Sequence, residues 1–69
     1  MKEVKIYTDF IKLDDFLKFA GVLGTGGMAK AVIQDGLVTV DGEVCTMRGK
    51  KLRGGEVVSF NGETVKVTK

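Results

Sequence analysis

The stretch IQDGLVTVDG, residues 33–42, decides the fold, because the hydrophobic period changes within it. Up to Gly36, apolar residues recur at the three- and four-residue spacing of a helix. From Leu37 onward they alternate with the period of two that is typical of a strand. Gly36 suits the left-handed position that ends many helices, and the pair Asp41 and Gly42 favours a two-residue hairpin turn. The stretch therefore predicts the end of a helix, a strand and a tight turn in succession.

A first helix is predicted upstream from one apolar stripe with the spacing i, i+3, i+4 and i+7, formed by Leu13, Phe16, Leu17 and Ala20. Gly21 is its expected C-cap, and Phe19 is expected to lie in or near the core. Asp14 and Lys18 stand at i and i+4 on the opposite face, where they predict an ion pair.

A second helix is predicted to begin at Thr25, a residue type that commonly caps helix N-termini. Its apolar stripe consists of Ala29, Val32 and Ile33. Gly26 and Gly27 fall in its first turn, where each glycine costs the helix about 1 kcal/mol relative to alanine. Some property other than helix stability therefore favours glycine at both positions.

Strands account for most of the remaining chain. They are predicted at residues 3–8, 37–40, 43–46, 56–60 and 64–67. Asn61 and Gly62 form the second hairpin turn. The order predicts an α+β fold in which two short helices pack on one face of a small, largely antiparallel sheet, as one domain over residues 1–69.

Composition excludes several functional classes. The 69 residues include no histidine and one cysteine, Cys45, which excludes an internal disulfide and a Cys/His zinc site. Without histidine the usual general base is missing, and Asp14 and Asp15 do not converge, so we expect no enzymatic activity, metal or cofactor. No apolar stretch approaches the roughly 20 residues of a membrane span, and no export signal is visible, so we expect a cytoplasmic protein.

Positive charge is concentrated in one segment. Residues 47–55 contain no acidic residue and four basic ones, Arg48, Lys50, Lys51 and Arg53, whereas the rest of the chain has seven basic and nine acidic residues. We interpret the segment as a glycine-flanked loop that contacts phosphate, since such contacts supply most sequence-independent affinity for nucleic acid. A merely solvated loop is the alternative interpretation.

A second candidate site is the start of the second helix. Backbone N–H groups at a helix N-terminus attract anions, Gly26 and Gly27 would let a phosphate approach closely, and Lys30 adds a charge. The segment lacks the Gly-Lys-Ser/Thr ending of a nucleotide-binding P-loop. Only Tyr7 and Phe10 are aromatic candidates for exposure, so recognition by shape and phosphate is favoured over base stacking.

The chain resembles the RNA-binding domain of ribosomal protein S-four, also called the alpha-L motif. The resemblance covers residues 12–60 and is carried by KLDDFL at 12–17, TGGMAK at 25–30, residues 33–42 and KLRGGEV at 51–57. With its N-terminal strand, the whole chain is similar to small stand-alone bacterial proteins of the YaaA and YbcJ type.

The resemblance implies binding of structured RNA, commonly of the ribosomal or transfer RNA class. We expect a monomer that binds RNA without catalysis, with the ribosome as a further candidate partner. Together with the charge pattern, it gives the expected RNA-binding residues as Lys12, Lys18, Thr25, Gly26, Gly27, Lys30, Arg48, Lys50, Lys51 and Arg53. Asp15 and Gly26 stand where the family often has basic residues, which shifts the expected weight toward residues 48–53. The alternative function is a protein-interaction adaptor that keeps the fold with little RNA affinity.

Overall fold

The computed structural model describes residues 1–24 and 26–69, so the predicted cap Thr25 lies outside the described residues. Along them the chain forms β1 (Lys2–Lys5), β2 (Ile11–Lys12), α1 (Leu13–Phe19), α2 (Gly26–Gln34), β3 (Val38–Val40), β4 (Glu43–Val44), β5 (Lys51–Leu52), β6 (Val57–Phe60) and β7 (Glu63–Thr68).

The strands form two sheets. A five-stranded sheet has the order β1-β7-β6-β3-β4, and β2 pairs with β5 in a separate two-stranded ribbon. All pairs are antiparallel except β1 with β7, which run parallel at one edge. The predicted α+β class with a largely antiparallel sheet is confirmed.

Both helices end as the glycine positions predict. Gly21 has a φ of 76°, and the N–H groups of Val22 and Gly21 donate to the carbonyls of Leu17 and Lys18, each at 3.0 Å. This is a Schellman motif, which satisfies carbonyls that the helix end would leave unpaired. The same pair of hydrogen bonds ends α2 at Gly36, whose φ is also 76°.

The two predicted hairpin turns are also present. Asp41 and Asn61 have φ values of 53° and 51°, and each is followed by a glycine with positive φ, as a type I′ turn requires. Asp41 also fixes the first turn on β6: its N–H donates to the Val57 carbonyl at 2.8 Å, and its Oδ1 accepts from the Val57 N–H at 2.9 Å.

The core lies between the helices and the sheets. Its buried residues are Ile6, Leu13, Phe16, Leu17, Ala20, Leu23, Ala29, Ile33, Val38, Val40, Leu52, Val58, Val65 and Val67. Leu52 is fully buried and anchors the two-stranded ribbon to this core. Burying one such side chain stabilises the fold by about 1.5–3 kcal/mol. Within the described chain, neither helix is long and apolar enough to span a membrane.

The N-terminal strand is shorter than the predicted range 3–8. β1 runs parallel to β7, with Lys5 opposite Thr68, and one further backbone hydrogen bond joins the Ile6 N–H to the Thr68 carbonyl at 2.8 Å. Because β7 ends at Thr68, residues 7–10 have no partner on that sheet. They turn away toward β2 instead.

Two predictions about α1 are wrong. Phe19 is 58% exposed rather than part of the core, since the buried face of the helix is occupied by Leu13, Phe16 and Leu17. Lys18 pairs with Asp15, at 3.4 Å from Nζ to Oδ1, and not with Asp14. The Asp14 carboxylate instead accepts the Asp15 N–H at the start of the helix, at 2.8 Å.

Two predictions about the second half of the chain are also corrected. The strand returning from the first hairpin ends at Val44 and does not extend over residues 43–46. The basic segment is not a loop throughout, because Lys51–Leu52 forms β5. Both differences have one cause. After β4 the chain leaves the large sheet, and its next strand, β5, pairs with β2.

Candidate nucleic-acid interface

The central feature of the site is the pairing of β2 with β5. Ile11 lies opposite Leu52 and Lys12 opposite Lys51. Because side chains alternate along a strand, Leu52 points into the core while Lys12 and Lys51 share the exposed outer face. Like charges directly opposite each other destabilise a strand pair, so this face is not arranged for stability.

Phe10 holds two of the cations on this face. The Lys51 Nζ lies 4.9 Å from the centroid of its ring, and the Arg53 guanidinium carbon lies 5.7 Å from it. Each cation–π contact at an exposed site is worth about 0.5–1 kcal/mol, enough to bias both long side chains toward one arrangement. The surface formed by Phe10, Lys12, Lys51 and Arg53 is named the basic ribbon below.

A turn at residues 47–50 precedes the ribbon and joins it to α1. The Lys50 N–H donates to the Met47 carbonyl at 3.1 Å, which closes the turn. The carbonyls of Lys50 and Arg48 accept from the N–H groups of Leu13 and Asp14, at 2.9 and 3.2 Å. These bonds satisfy two of the donors that a helix N-terminus leaves unpaired. The backbone of the basic segment thus caps α1, while the Arg48 and Lys50 side chains remain exposed.

Glu56 fixes the other end of the ribbon. Its Oε2 accepts the Arg53 N–H at 2.8 Å, and its Oε1 accepts the Gly54 N–H at 2.7 Å. Partial burial raises the pKa of Glu56, but backbone hydrogen bonds and the charge of Lys50 lower it more, so the pKa lies below its ordinary value. Gly54 and Gly55 turn the chain there with φ of 126° and 97°. Glu56, the acid nearest in sequence to Arg53, is therefore engaged with backbone.

The start of α2 forms the second candidate region. Gly27 and Lys30 are exposed, and the first turn contains no acidic residue. A Cβ added at Gly27 would meet nothing within 4 Å, so packing against the described residues does not require glycine there. α2 packs against α1, which in turn contacts β2. Helix α1 thus links this region to the ribbon.

Comparisons with known proteins agree with this architecture. The sequence model of the S4 domain family matches residues 4–68, nearly the whole chain. The chain belongs to the S4 domain family. The resemblance of residues 12–60 to this family is therefore confirmed.

Two relatives of this S4 domain are of similar length. The chain is 42% identical over 59 residues to the probable ribosome maturation protein RlbA of Bacillus subtilis, covering 86% of this chain and 83% of the relative. It is 42% identical over 57 residues to a protein of Escherichia coli named "Putative RNA-binding protein YbcJ", covering 83% and 81%.

A solved structure shares the fold. The solution structure of YbcJ from Escherichia coli superposes with a TM-score of 0.77 at 36% identity, covering 100% of this chain and 89% of YbcJ. That structure is described as showing an alpha-L motif involved in RNA binding. The predicted alpha-L fold is confirmed.

The S4 domain brings together only some of the predicted site residues. Lys12, Lys51 and Arg53 share the ribbon face, and Arg48 and Lys50 lie in the adjoining turn. Lys18 stands apart, about 9 Å along the helix axis from Lys12, in its ion pair.

The structure also shows one contributor that sequence reasoning missed. The sequence indicates Phe10 only as a candidate for exposure, but it is half-buried and lies beneath two cations. Its spacing of two residues from Lys12 would place both on one strand face. That signal has meaning only once β2 is known to pair with β5.

Proposed function

We propose that this S4 domain binds structured RNA without catalysis, with the basic ribbon and the turn at residues 47–50 as its main phosphate-binding surface. The observation that carries the proposal is the single exposed face on which Lys12 and Lys51 stand directly opposite each other. An arrangement that costs stability when unliganded is favoured when a polyanion neutralises it. The name of its relative YbcJ as an RNA-binding protein supports RNA as the ligand.

The electrostatics of the ribbon favour a phosphate backbone over a single small anion. Five cationic side chains lie on the ribbon and its turn, at Lys12, Arg48, Lys50, Lys51 and Arg53. Arginine presents a fork that suits two phosphate oxygens, whereas lysine acts as a point charge. Their spread over a two-stranded ribbon suits several phosphates in a row, which is how folded RNA is recognised by shape.

The start of α2 contributes a second and weaker phosphate region in this proposal. Gly27 is exposed in the first turn of α2, where it would let an anion approach the helix, and Lys30 adds one charge. Asp15 reduces the charge available between the two regions, because it pairs with Lys18. The ribbon therefore carries more of the binding than α2 does.

Ribosomal RNA is the ligand class that we favour within structured RNA. The name of RlbA as a ribosome maturation protein supports it, since maturation takes place on ribosomal particles. We further propose that the domain acts as a monomer in the cytoplasm.

A second candidate function is protein binding, and one observation favours it. Leu37, Val44 and Met47 are each more than half exposed around the edge strand β4. Beside them lies a cavity of about 370 Å³ whose lining includes Val44, Met47 and Lys50. A protein partner seated there would bind with little dependence on salt, in contrast to RNA on the ribbon.

The experiment that tests the proposal compares two charge reversals of equal size. Lys51→Glu alters the ribbon, whereas Lys66→Glu alters an exposed lysine on β7 of the large sheet. We expect Lys51→Glu to weaken binding to a ribosomal RNA hairpin roughly tenfold or more in an electrophoretic shift assay, with little effect from Lys66→Glu. Equal losses from both variants would show that only net charge matters, and the ribbon would not be the site.

A further inference from the structure

A small apolar pocket lies beside the basic ribbon. It has a volume of about 210 Å³ and is lined by Ile6, Tyr7, Thr8, Ile11 and Phe19. The segment that leaves β1 forms one wall, and the last residue of α1 forms the other. Two aromatic rings therefore flank an opening on the surface.

Both rings are unusually exposed. Tyr7 is 83% and Phe19 58% exposed, although burying a phenylalanine side chain is worth about 1.5–3 kcal/mol. The fold does not gain this free energy from Phe19, because other residues of α1 occupy the buried face of the helix. An uncovered aromatic pair around a pocket indicates a ligand that supplies the missing contact.

The volume of the pocket limits which kind of ligand it can hold. Its volume is below the roughly 300–1,000 Å³ of pockets for drug-sized molecules, so it fits one planar ring system. A stable protein interface needs about 800 Å² from each partner. That is about a fifth of the 4138 Å² surface of this chain, far more than two side chains supply. A second protein is therefore a poor occupant.

The surroundings of the pocket favour a ring attached to phosphate. The Lys5 Nζ lies 5.4 Å from the Tyr7 ring centroid, which places a cation at the rim. Tyr7 is three residues from Phe10, whose ring carries Lys51 and Arg53, so the Cα atoms of the two residues lie within about 11 Å of each other. The Thr8 hydroxyl donates to the Phe10 carbonyl at 2.7 Å and fixes the connecting segment.

We propose that this pocket receives one unpaired nucleobase of the bound RNA, stacked against Tyr7 and Phe19. The inference rests on the proposed function, because the phosphates adjoining that base are held by Lys5 and the basic ribbon. Stacking on aromatic side chains is the usual way in which proteins hold unpaired bases, and it tolerates any base because each has a π-face. The domain thus prefers an RNA helix with a bulged or looped-out nucleotide over a continuous helix.

The test uses two RNA hairpins that differ only in one bulged nucleotide. The wild-type chain is expected to bind the bulged hairpin about tenfold more tightly than the fully paired one, since stacking one base on aromatic side chains contributes an effect of this size. Tyr7→Leu and Phe19→Leu should remove this preference and leave affinity for the paired hairpin unchanged, whereas Tyr7→Phe should retain it. Urea unfolding confirms that the variants are folded.

A second readout is built into the sequence. Tyr7 is the only tyrosine and the chain has no tryptophan, so intrinsic tyrosine emission reports on this pocket alone. Binding of the bulged hairpin should quench that emission, and binding of the paired hairpin should not. If both hairpins bind equally and the leucine variants change nothing, the pocket proposal is overturned while the proposed function stands. If neither hairpin binds, both are wrong.

Discussion

The basic ribbon and the start of α2 carry the same kinds of residue but are held very differently. In the ribbon, cross-strand pairing fixes Lys12 and Lys51, and the Phe10 ring restrains Lys51 and Arg53. At the start of α2, Gly27 faces open space and Lys30 projects from an exposed helix face. Ordering a long side chain on binding costs about 0.5–1.5 kcal/mol, so prearranged cations bind phosphate at a lower entropic cost. The number of cationic residues alone therefore does not determine which region binds RNA more strongly.

The largest expected effect is a loss of RNA binding, and its absence would contradict the ranking of the two regions. The double charge reversal Lys50→Glu with Lys51→Glu should weaken RNA binding roughly 100-fold or more, since it replaces attraction by repulsion at two phosphate contacts. Lys30→Glu at the start of α2 should cost less than Lys51→Glu alone. Filter retention of a labelled ribosomal RNA hairpin measures both. A greater loss from Lys30→Glu than from Lys51→Glu alone would reverse the ranking of the two regions.

A matched pair of glycine substitutions compares the two regions by their effects on the free energy of unfolding. Gly55→Ala should lose about 1–3 kcal/mol in the free energy of unfolding, because its φ of 97° strains any residue with a Cβ. Gly27→Ala should gain about 0.5–1 kcal/mol, because a Cβ meets open space in a helix. Urea unfolding of the two variants gives both values.

RNA binding by the same pair separates a structural glycine from one that serves a ligand. If Gly27→Ala stabilises the fold but weakens binding, the glycine is kept for close approach of a phosphate. Unchanged binding by Gly27→Ala would show that no phosphate approaches the backbone at Gly27.

A smaller effect is expected from Phe10→Leu. Leucine keeps an apolar side chain but removes both cation–π contacts, so RNA affinity should fall by roughly three- to tenfold. Phe10→Leu should change the free energy of unfolding by less than Gly55→Ala does. Titration calorimetry at fixed salt measures the affinity. If Phe10→Leu binds as tightly as the wild type, the ring does not organise the cations.

The smallest effect concerns pH. Because folding lowers the pKa of Glu56, its contribution to stability is present above its ordinary pKa of 4.5 and is lost as pH falls through the lower folded value. Glu56→Gln should therefore be less stable than the wild type at pH 7, with a difference that shrinks as pH is lowered toward 3. Urea midpoints at both pH values check this. A constant difference would show that the Glu56 charge does not hold the turn.

The sequence predicted the large sheet and helices better than the site. Gly21, Gly36 and the turn residue Asp41 have local conformations that their residue types favour, so both helix ends and the first hairpin could be read directly. The β2–β5 ribbon could not, because each strand has two residues, too few for a period, and the partners are far apart in the chain. Resemblance to the S4 family supplied the RNA-binding prediction. The role of Phe10 could not be predicted, because it depends on contacts between segments that are far apart in the chain.

The salt dependence of RNA binding is the decisive measurement for the basic ribbon, because its slope counts the phosphates that the protein neutralises. The logarithm of the association constant, plotted against the logarithm of salt concentration, should be linear for the wild type, with about −0.7 to −0.9 per phosphate contacted. If the ribbon and its turn hold the RNA, replacing Lys50 and Lys51 by glutamine should reduce the steepness by about 1.4 to 1.8, twice the value for one contact. An unchanged slope in that variant would show that the RNA lies elsewhere on the domain.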